Sequence, residues 1–263
     1  MKLSVTIYSL RDYLLSGRLT VPRFIEVAHR LGADAVDLGY YWRSREERVE
    51  AKRKLQELGV ELAIYITSND FVKPSLEERR GEIDRVKAAV AEAKSFDAAR
   101  LRVFAGDLKL GIDAAEAEKW VIEALREVSD YAASEGVVLA VENHGRHFSR
   151  IDVVERILKE VGSRNLRVTF DTGNFVFAGD SPVEAVERLG AWVEHVHAKD
   201  VDVWGRPCAP GEGCIDFEAI VRRLKSAGYR NYLSVEYEGR RDPFLAVGLG
   251  LGYLRGLLAV VNL

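Results

Sequence analysis

Cysteine, methionine and glutamine are nearly missing from this chain, and neither sign of charge is in excess. The two cysteines, Cys208 and Cys214, are too few for an extracellular disulfide framework or a cysteine-rich zinc module. They share one loop, RPCAPGEGC, so two free thiols are expected, with a clasp across the loop as the alternative. The single methionine, set beside 30% charged residues, fits a heat-adapted source. Acidic and basic residues nearly cancel, 41 against 38, which removes any general attraction to nucleic acid or anionic lipid. A basic leader with an apolar core is lacking. The most apolar stretch, Phe244 to Leu263, is interrupted by Arg255 and several glycines, so no spanning segment is expected and the cytoplasm is the default location.

What is present is length, apolar residues and a glycine rhythm. A chain of 263 residues with 48% hydrophobic composition can bury one substantial core, and α/β barrels of about 250 residues are common. Glycine repeatedly follows a helix-like segment and precedes a strand-like one, at Gly32, Gly59, Gly136, Gly162, Gly190 and Gly228. The left-handed turn that ends a helix is cheapest for glycine. The spacing is that of βα units, and the wider gap before Gly136 leaves room for two more. Ser75-Leu76-Glu77-Glu78 and Ser181-Pro182-Val183-Glu184 read as capping boxes, and Asp242-Pro243 as an N-cap with a first-turn proline.

Strands are predicted over 3–8, 35–39, 60–67, 100–104, 137–142, 166–171, 193–197 and 232–236, with helices between them, including 76–95 and 114–134. Eight alternations predict a single (β/α)8 TIM barrel, one domain over 1–263, in preference to an open doubly wound sheet.

Four of the strand-like runs, VVLAVEN, RVTFDTGN, WVEHVHAKD and YLSVEYEG, carry a residue with metal-ligand chemistry at the carboxyl end: Glu142, Asp171, His197 and Glu236. That rim is where barrel chemistry gathers. Each residue alone has an ordinary structural reading. Glu142 could form a salt bridge or cap a helix, Asp171 could make an Asx turn, and Glu236 could pair with Arg240 or Arg241. His195 and His197 alternate about Val196, so both point to one side, with Lys199 continuing it. His197, nearer the rim, is the expected ligand, and His195 a hydrogen-bonded structural residue. Together, three hard oxygen donors and one imidazole suit a single divalent ion, Mn2+, Mg2+ or Co2+, with Zn2+ compatible.

Weaker features read as structure. The Pro210-Gly211-Glu212-Gly213 loop could admit an anion but is expected to be a turn. Gly248-Leu249-Gly250-Leu251-Gly252 lies within a helical pattern, where close packing explains it better than dinucleotide binding. Arg240 and Arg241 follow the last strand, where barrels often bind phosphate, but are expected on a solvated face.

At VEN, FDTGN, HVHAKD, GEGCIDF and LSVEYEG the chain resembles the xylose-isomerase-like sugar isomerase and epimerase superfamily, in motif order over essentially the whole barrel. Resemblance to its ketose 3-epimerase branch implies one divalent metal on Glu142, Asp171, His197 and Glu236, with the two glutamates also moving protons. Where many members carry a histidine three residues after the metal-binding aspartate, this chain has Asn174, which can bind a hydroxyl but cannot deliver a proton near neutral pH. Arg206 best matches an arginine that members place after the strand-seven histidine. The superfamily also resembles endonuclease IV, whose three-zinc site needs many histidines. The five here are His29, His144, His147, His195 and His197, and none falls in the first four strands, which argues against three zincs.

The expected activity is therefore isomerisation or epimerisation of a sugar, sugar phosphate or polyol ketone through a metal-bound cis-enediolate, with Glu142 and Glu236 exchanging the proton. Tyr8, Trp42, Asn174, Lys199, Trp204 and Arg206 are the expected substrate wall. The partner is a small molecule, with no nucleic acid or membrane, and the glycine-rich last helix would support a homo-oligomer. A metal-dependent hydrolase, an inosose-type dehydratase and a catalytically silent sugar-binding barrel are the competing readings.

Overall fold

The computed structural model describes residues 1–261; Asn262 and Leu263, the end of the apolar tail, lie outside the described residues. In chain order the strands are β1 (Lys2–Thr6), β2 (Ala35–Gly39), β3 (Glu61–Ile66), β4 (Arg100–Phe104), β5 (Val138–Glu142), β6 (Leu166–Asp171), β7 (Val193–Ala198), the two-residue β8 (Asp200–Val201) and β9 (Pro207–Cys208), and β10 (Tyr232–Val235). The helices are α1 (Arg11–Leu15), α2 (Val21–Arg30), α3 (Arg45–Leu58), α4 (Leu76–Ser95), α5 (Ala114–Ser134), α6 (Ile151–Val161), α7 (Thr172–Ala178), α8 (Pro182–Leu189), α9 (Phe217–Ser226) and α10 (Pro243–Val261). Eight strands form a closed barrel in the order β1-β10-β7-β6-β5-β4-β3-β2. The fold is the (β/α)8 barrel, and β8 and β9 make a separate antiparallel hairpin after β7.

Internal contacts divide the chain into two units, residues 1–64 with 195–263 and residues 65–194. In the first, β1 pairs in parallel with both β2 and β10, and β10 pairs with β7 so that Ser234 sits opposite His197. Its α2 buries Phe24, Ile25 and Ala28 on one stripe, starts at the Thr20 cap and carries a proline in its first turn. In the second unit β4, β5 and β6 pair in parallel, with Phe104 opposite Glu142 and Glu142 opposite Thr169. Here α6 buries Val154, Ile157, Leu158 and Val161 on one face, which at about 1.5–3 kcal/mol per large apolar side chain is the main term fixing the helix.

The predicted caps form. Ser75, Ser181 and Asp242 accept from the backbone N–H of Glu78, Glu184 and Leu245. Gly32, Gly59, Gly136, Gly162 and Gly228 adopt positive φ. Gly190 does not: its φ is −52° and the chain runs straight into a short 3-10 turn, Gly190–Trp192. A second kind of close approach explains Gly250 in α10, where an added Cβ would stand 2.8 Å from Pro210 Cδ and 3.2 Å from Val235 Cγ1. By length and composition alone, α10 is long and apolar enough to cross a membrane, which the interruption by Arg255 and glycine did not prevent. It packs on β1, β10 and α9.

Candidate metal centre

Glu142 is the last residue of β5 and Asp171 the last of β6. His197 is the penultimate residue of β7, and Glu236 directly follows β10, its N–H still bonded to the Ala198 carbonyl at 3.2 Å. All four are buried. Each offers a ligand atom, and these atoms lie within 4.8 Å of one another. The four strand-end residues singled out from sequence thus converge.

Local structure fixes each side chain. Asp171 caps α7, its Oδ1 accepting the Asn174 N–H at 2.8 Å, so the Asx geometry and a place in the cluster coexist. Asn143 clamps the ends of β5 and β6 together: its Nδ2 donates to the Asp171 carbonyl at 3.0 Å and its Oδ1 accepts the Asp171 N–H at 2.8 Å. Glu142 Oε1 accepts from Asn174 Nδ2 at 3.4 Å, and Glu142 Oε2 lies 3.3 Å from Arg102 Nε. Arg102 is itself buried in β4, over the Phe104 ring at 3.9 Å.

Glu236 Oε1 lies 2.8 Å from Lys199 Nζ, and its Oε2 lies 2.9 Å from His197 Nδ1. Burial alone would raise the Glu236 carboxyl, but Lys199 and His197 outweigh it and hold it well below the usual range. Lys199 also reaches Glu238 Oε1 at 2.7 Å. There burial, with repulsion from Glu236, prevails and pushes the Glu238 carboxyl up. The Tyr8 phenol is raised by burial and by Glu238, and Arg11 lies over its ring at 4.3 Å.

Behind this layer His195 and His197 both face Asp37 of β2. Asp37 Oδ2 is 2.9 Å from His195 Nε2 and 3.4 Å from His197 Nε2, and accepts from Ser234 Oγ at 2.7 Å. Burial pushes Asp37 up, but the histidines outweigh it and hold it far below the carboxylate range.

The donor set fits a hard divalent cation. Two carboxylates no more than 4.8 Å apart repel by at least roughly 3.5 kcal/mol at an effective dielectric of about 20, and three carboxylates make three such pairs. Arg102, 3.3 Å from Glu142, and Lys199, 2.8 Å from Glu236, offset much of that, and a bound cation would offset it for all three carboxylates at once. The 2.9 Å from His197 Nδ1 to Glu236 Oε2 matches the roughly 3 Å between adjacent ligands of an octahedral ion with bonds of about 2.1 Å. Among the described residues one other group meets the same distance condition, Asp37, His195 and His197. The remaining histidines lie elsewhere: His29 in α2, His144 against the Phe104 ring, and His147 2.9 Å from Glu118.

The other expected wall residues are more dispersed. Trp42 is half-buried in the loop after β2. Trp204 and Arg206 sit on the β8–β9 hairpin, where Arg206 stacks over the Trp204 ring at 4.6 Å and pairs with Asp202 at 2.7 Å. Arg206 also lines a cavity of about 510 Å3 shared with Tyr237, Glu238, Arg240 and Arg241. Arg241 pairs with Glu212, not Glu236. Gly211 and Gly213 turn their N–H groups onto Asp200 Oδ2, both at 2.9 Å, so that loop wraps a carboxylate of its own. Both cysteines are free thiols, and burial and nearby acids push Cys208 up to about 12.

Sequence reasoning passed over Asp37, Arg102, Asn143 and Glu238. Asp37 and Arg102 did leave a signal, a lone charge inside an apolar strand, which is costly unless paired. Glu238 continues the alternation of Ser234 and Glu236.

An inosose dehydratase of Geobacillus thermodenitrificans (strain NG80-2) is 27% identical over 150 residues, covering 49% of this chain and 50% of that protein. The chain spans about half the length of this and other inosose dehydratases that it matches. Among solved structures, a D-tagatose 3-epimerase-like protein superposes with a TM-score of 0.81 at 22% identity, covering 100% of this chain and 98% of that one. A D-psicose 3-epimerase from Clostridium cellulolyticum H10, crystallised with D-tagatose, gives 0.81 at 19% identity over 98% and 99%. These likenesses establish the fold. The profile of one family matches residues 25–257, and the chain belongs to that family, the xylose isomerase-like TIM barrels.

Proposed function

We propose that this chain, working as one barrel domain, is a divalent-metal-dependent isomerase or epimerase of a small sugar or polyol ketone. One observation carries the reading: Glu142, Asp171, His197 and Glu236, far apart in sequence, bring their ligand atoms within 4.8 Å of one another. These four residues would hold the ion, with Mn2+, Mg2+ or Co2+ favoured by the oxygen-rich set. When bound, the ion supplies Lewis-acid polarisation of a carbonyl and offsets the charge left as a neighbouring carbon loses its proton.

The chain's own residues do the rest. Glu142 and Glu236 are the proton carriers: one takes the proton from carbon and the other returns it to a neighbouring carbon or the opposite face. Asp171 and His197 hold their places through the α7 cap and the Asp37 contact. Lys199 keeps Glu236 ionised, and so competent as a base. Asn174, beside Glu142, donates to a substrate hydroxyl without competing for the proton. Arg206, Tyr8, Trp42 and Trp204 line the approach.

A second reading has its own support. The inosose dehydratase relatives point to loss of water following the same proton abstraction. One experiment separates the outcomes. Metal-reconstituted protein is incubated in heavy water with ketoses, sugar phosphates and inosose-like ketones, and both products and deuterium are read. Deuterium beside the carbonyl, lost in E142Q and E236Q, is expected. An isomer or epimer as product selects the first reading and an unsaturated product the second. Ketones that bind without exchanging a proton would refute both.

A further inference from the structure

Asp37 is a buried charge that takes no direct part in the proposed proton transfer. It interrupts the apolar run of β2, Ala35-Val36-Asp37-Leu38, and is fully buried. An ionised carboxylate there is costly unless donors hold it. Ser234 Oγ and His195 Nε2 supply two, at 2.7 and 2.9 Å. The same oxygen faces His197 Nε2 at 3.4 Å. The two imidazoles stand at 90° with centroids 5.2 Å apart, so one oxygen meets the Nε2 edge of both rings. His197 turns its other nitrogen, Nδ1, to Glu236 Oε2 at 2.9 Å.

A neutral imidazole has one N–H and one lone pair, and the partner at one nitrogen decides the role of the other. Glu236, at 2.9 Å, would draw the proton to Nδ1 in the metal-free protein; a cation would take the Nδ1 lone pair, and the buried Asp37 carboxylate facing Nε2 at 3.4 Å then favours the proton there. We infer that Asp37 is a positioning residue: it keeps the proton of His197 on Nε2 and thereby presents Nδ1 to the cation. Ser234 and His195 serve by aiming the carboxylate, which gives the second histidine of the His195-Val196-His197 pair a role outside the ligand set. The inference rests on the metal reading above.

The test uses the full chain labelled with 15N-histidine. Co2+ binding is followed by visible absorption, and the Zn2+-loaded form by long-range proton–nitrogen spectra. The wild type is expected to take one Co2+ per chain, with His197 bound through Nδ1 and its Nε2–H slow to exchange. D37A should lower Co2+ affinity about 10- to 100-fold, the usual effect of losing such a supporting carboxylate. D37N, whose amide oxygen still accepts from an imidazole N–H, should regain part of that loss, and its near-native shape keeps the test alive where D37A fails to fold. S234A removes one of the two bonds that aim the carboxylate and should lower Co2+ affinity in the same direction but less than D37A. A wild type that takes up no Co2+ overturns the metal reading and this inference with it. Co2+ uptake with unchanged affinity in both Asp37 variants overturns this inference alone. So does coordination of His197 through Nε2, or uptake of a second ion on Asp37, His195 and His197.

Discussion

Replacing Asp171 with asparagine should make the metal-free protein more stable while abolishing its response to metal. The substitution keeps the shape and the cap, since an asparagine Oδ1 can still accept the Asn174 N–H that Asp171 Oδ1 accepts at 2.8 Å. What changes is charge. Asp171 is one of three carboxylates within 4.8 Å, so its neutralisation removes two repulsions of at least roughly 3.5 kcal/mol each at an effective dielectric of about 20. Attraction to the cations around the cluster is lost as well, so the net gain is a fraction of that sum, about 1–2 kcal/mol. For a chain of this size that is a rise in melting temperature of about 2–8 °C. Wild-type protein with metal at 100 times its dissociation constant should gain about 2.7 kcal/mol, and D171N should gain almost none. Thermal unfolding with EDTA and then with Mn2+ reads both effects. A D171N protein that melts lower than wild type in EDTA, yet rises equally with Mn2+, would refute the argument that the cluster is strained for want of a cation.

Asn143 offers a quieter test of the same centre: N143A removes both bonds of the clamp between β5 and β6, should cost about 1–3 kcal/mol in a denaturant titration, and should weaken Mn2+ binding by calorimetry. Away from the site, Glu118 meets Arg156 through two bonds of 2.8 and 3.0 Å. Burial would raise its carboxyl, but Arg156 and His147 prevail and lower it. A lowered acid stabilises the fold above the ordinary glutamate range and loses that contribution as pH falls through its folded value. E118Q should therefore be less stable than wild type by about 1 kcal/mol at pH 7, Arg156 being partly exposed, and the gap should close below about pH 4 in urea melts. Gly213 tolerates no side chain, since a Cβ would stand 2.2 Å from Asp200 Oδ1 and 2.3 Å from the Val201 carbonyl. G213A should lower stability by about 1–3 kcal/mol, and an unchanged melting temperature would mean that the loop relaxes freely.

The parts legible in the sequence are those written in local patterns. α4 and α5 span the predicted Leu76–Ser95 and Ala114–Ser134, the first behind its Ser75 cap and the second behind Asp113, because a helix end is decided by three or four neighbouring residues. The convergence of Glu142, Asp171, His197 and Glu236 was legible for a related reason: strand alternation says which way a side chain faces, and parallel βα units put every strand's carboxyl end on the same rim. Gly190 shows where local patterns fail. It follows a helix as the other glycines do, yet the chain continues at φ −52° into a 3-10 turn whose last residue, Trp192, leads directly into β7 at Val193, so this reversal is made without a left-handed residue.

What stayed illegible depends on which strands are neighbours. Ser234 and His197 stand opposite one another only because β10 pairs with β7, and Asp37 meets His195 across 158 positions of sequence. Alternation could say that His195 and His197 share a face; it could not say that the face ends on a carboxylate. The same holds for Lys199, whose sequence reading as a wall residue missed that it bridges Glu236 and Glu238. Around that bridge the two acids of one strand end shift in opposite directions, Glu236 downward and Glu238 upward. A buried and a half-buried carboxylate sharing one ammonium cannot both keep a full charge cheaply. The residue closer to the imidazole retains it, so the charge is placed where the proposed chemistry needs a base and a ligand.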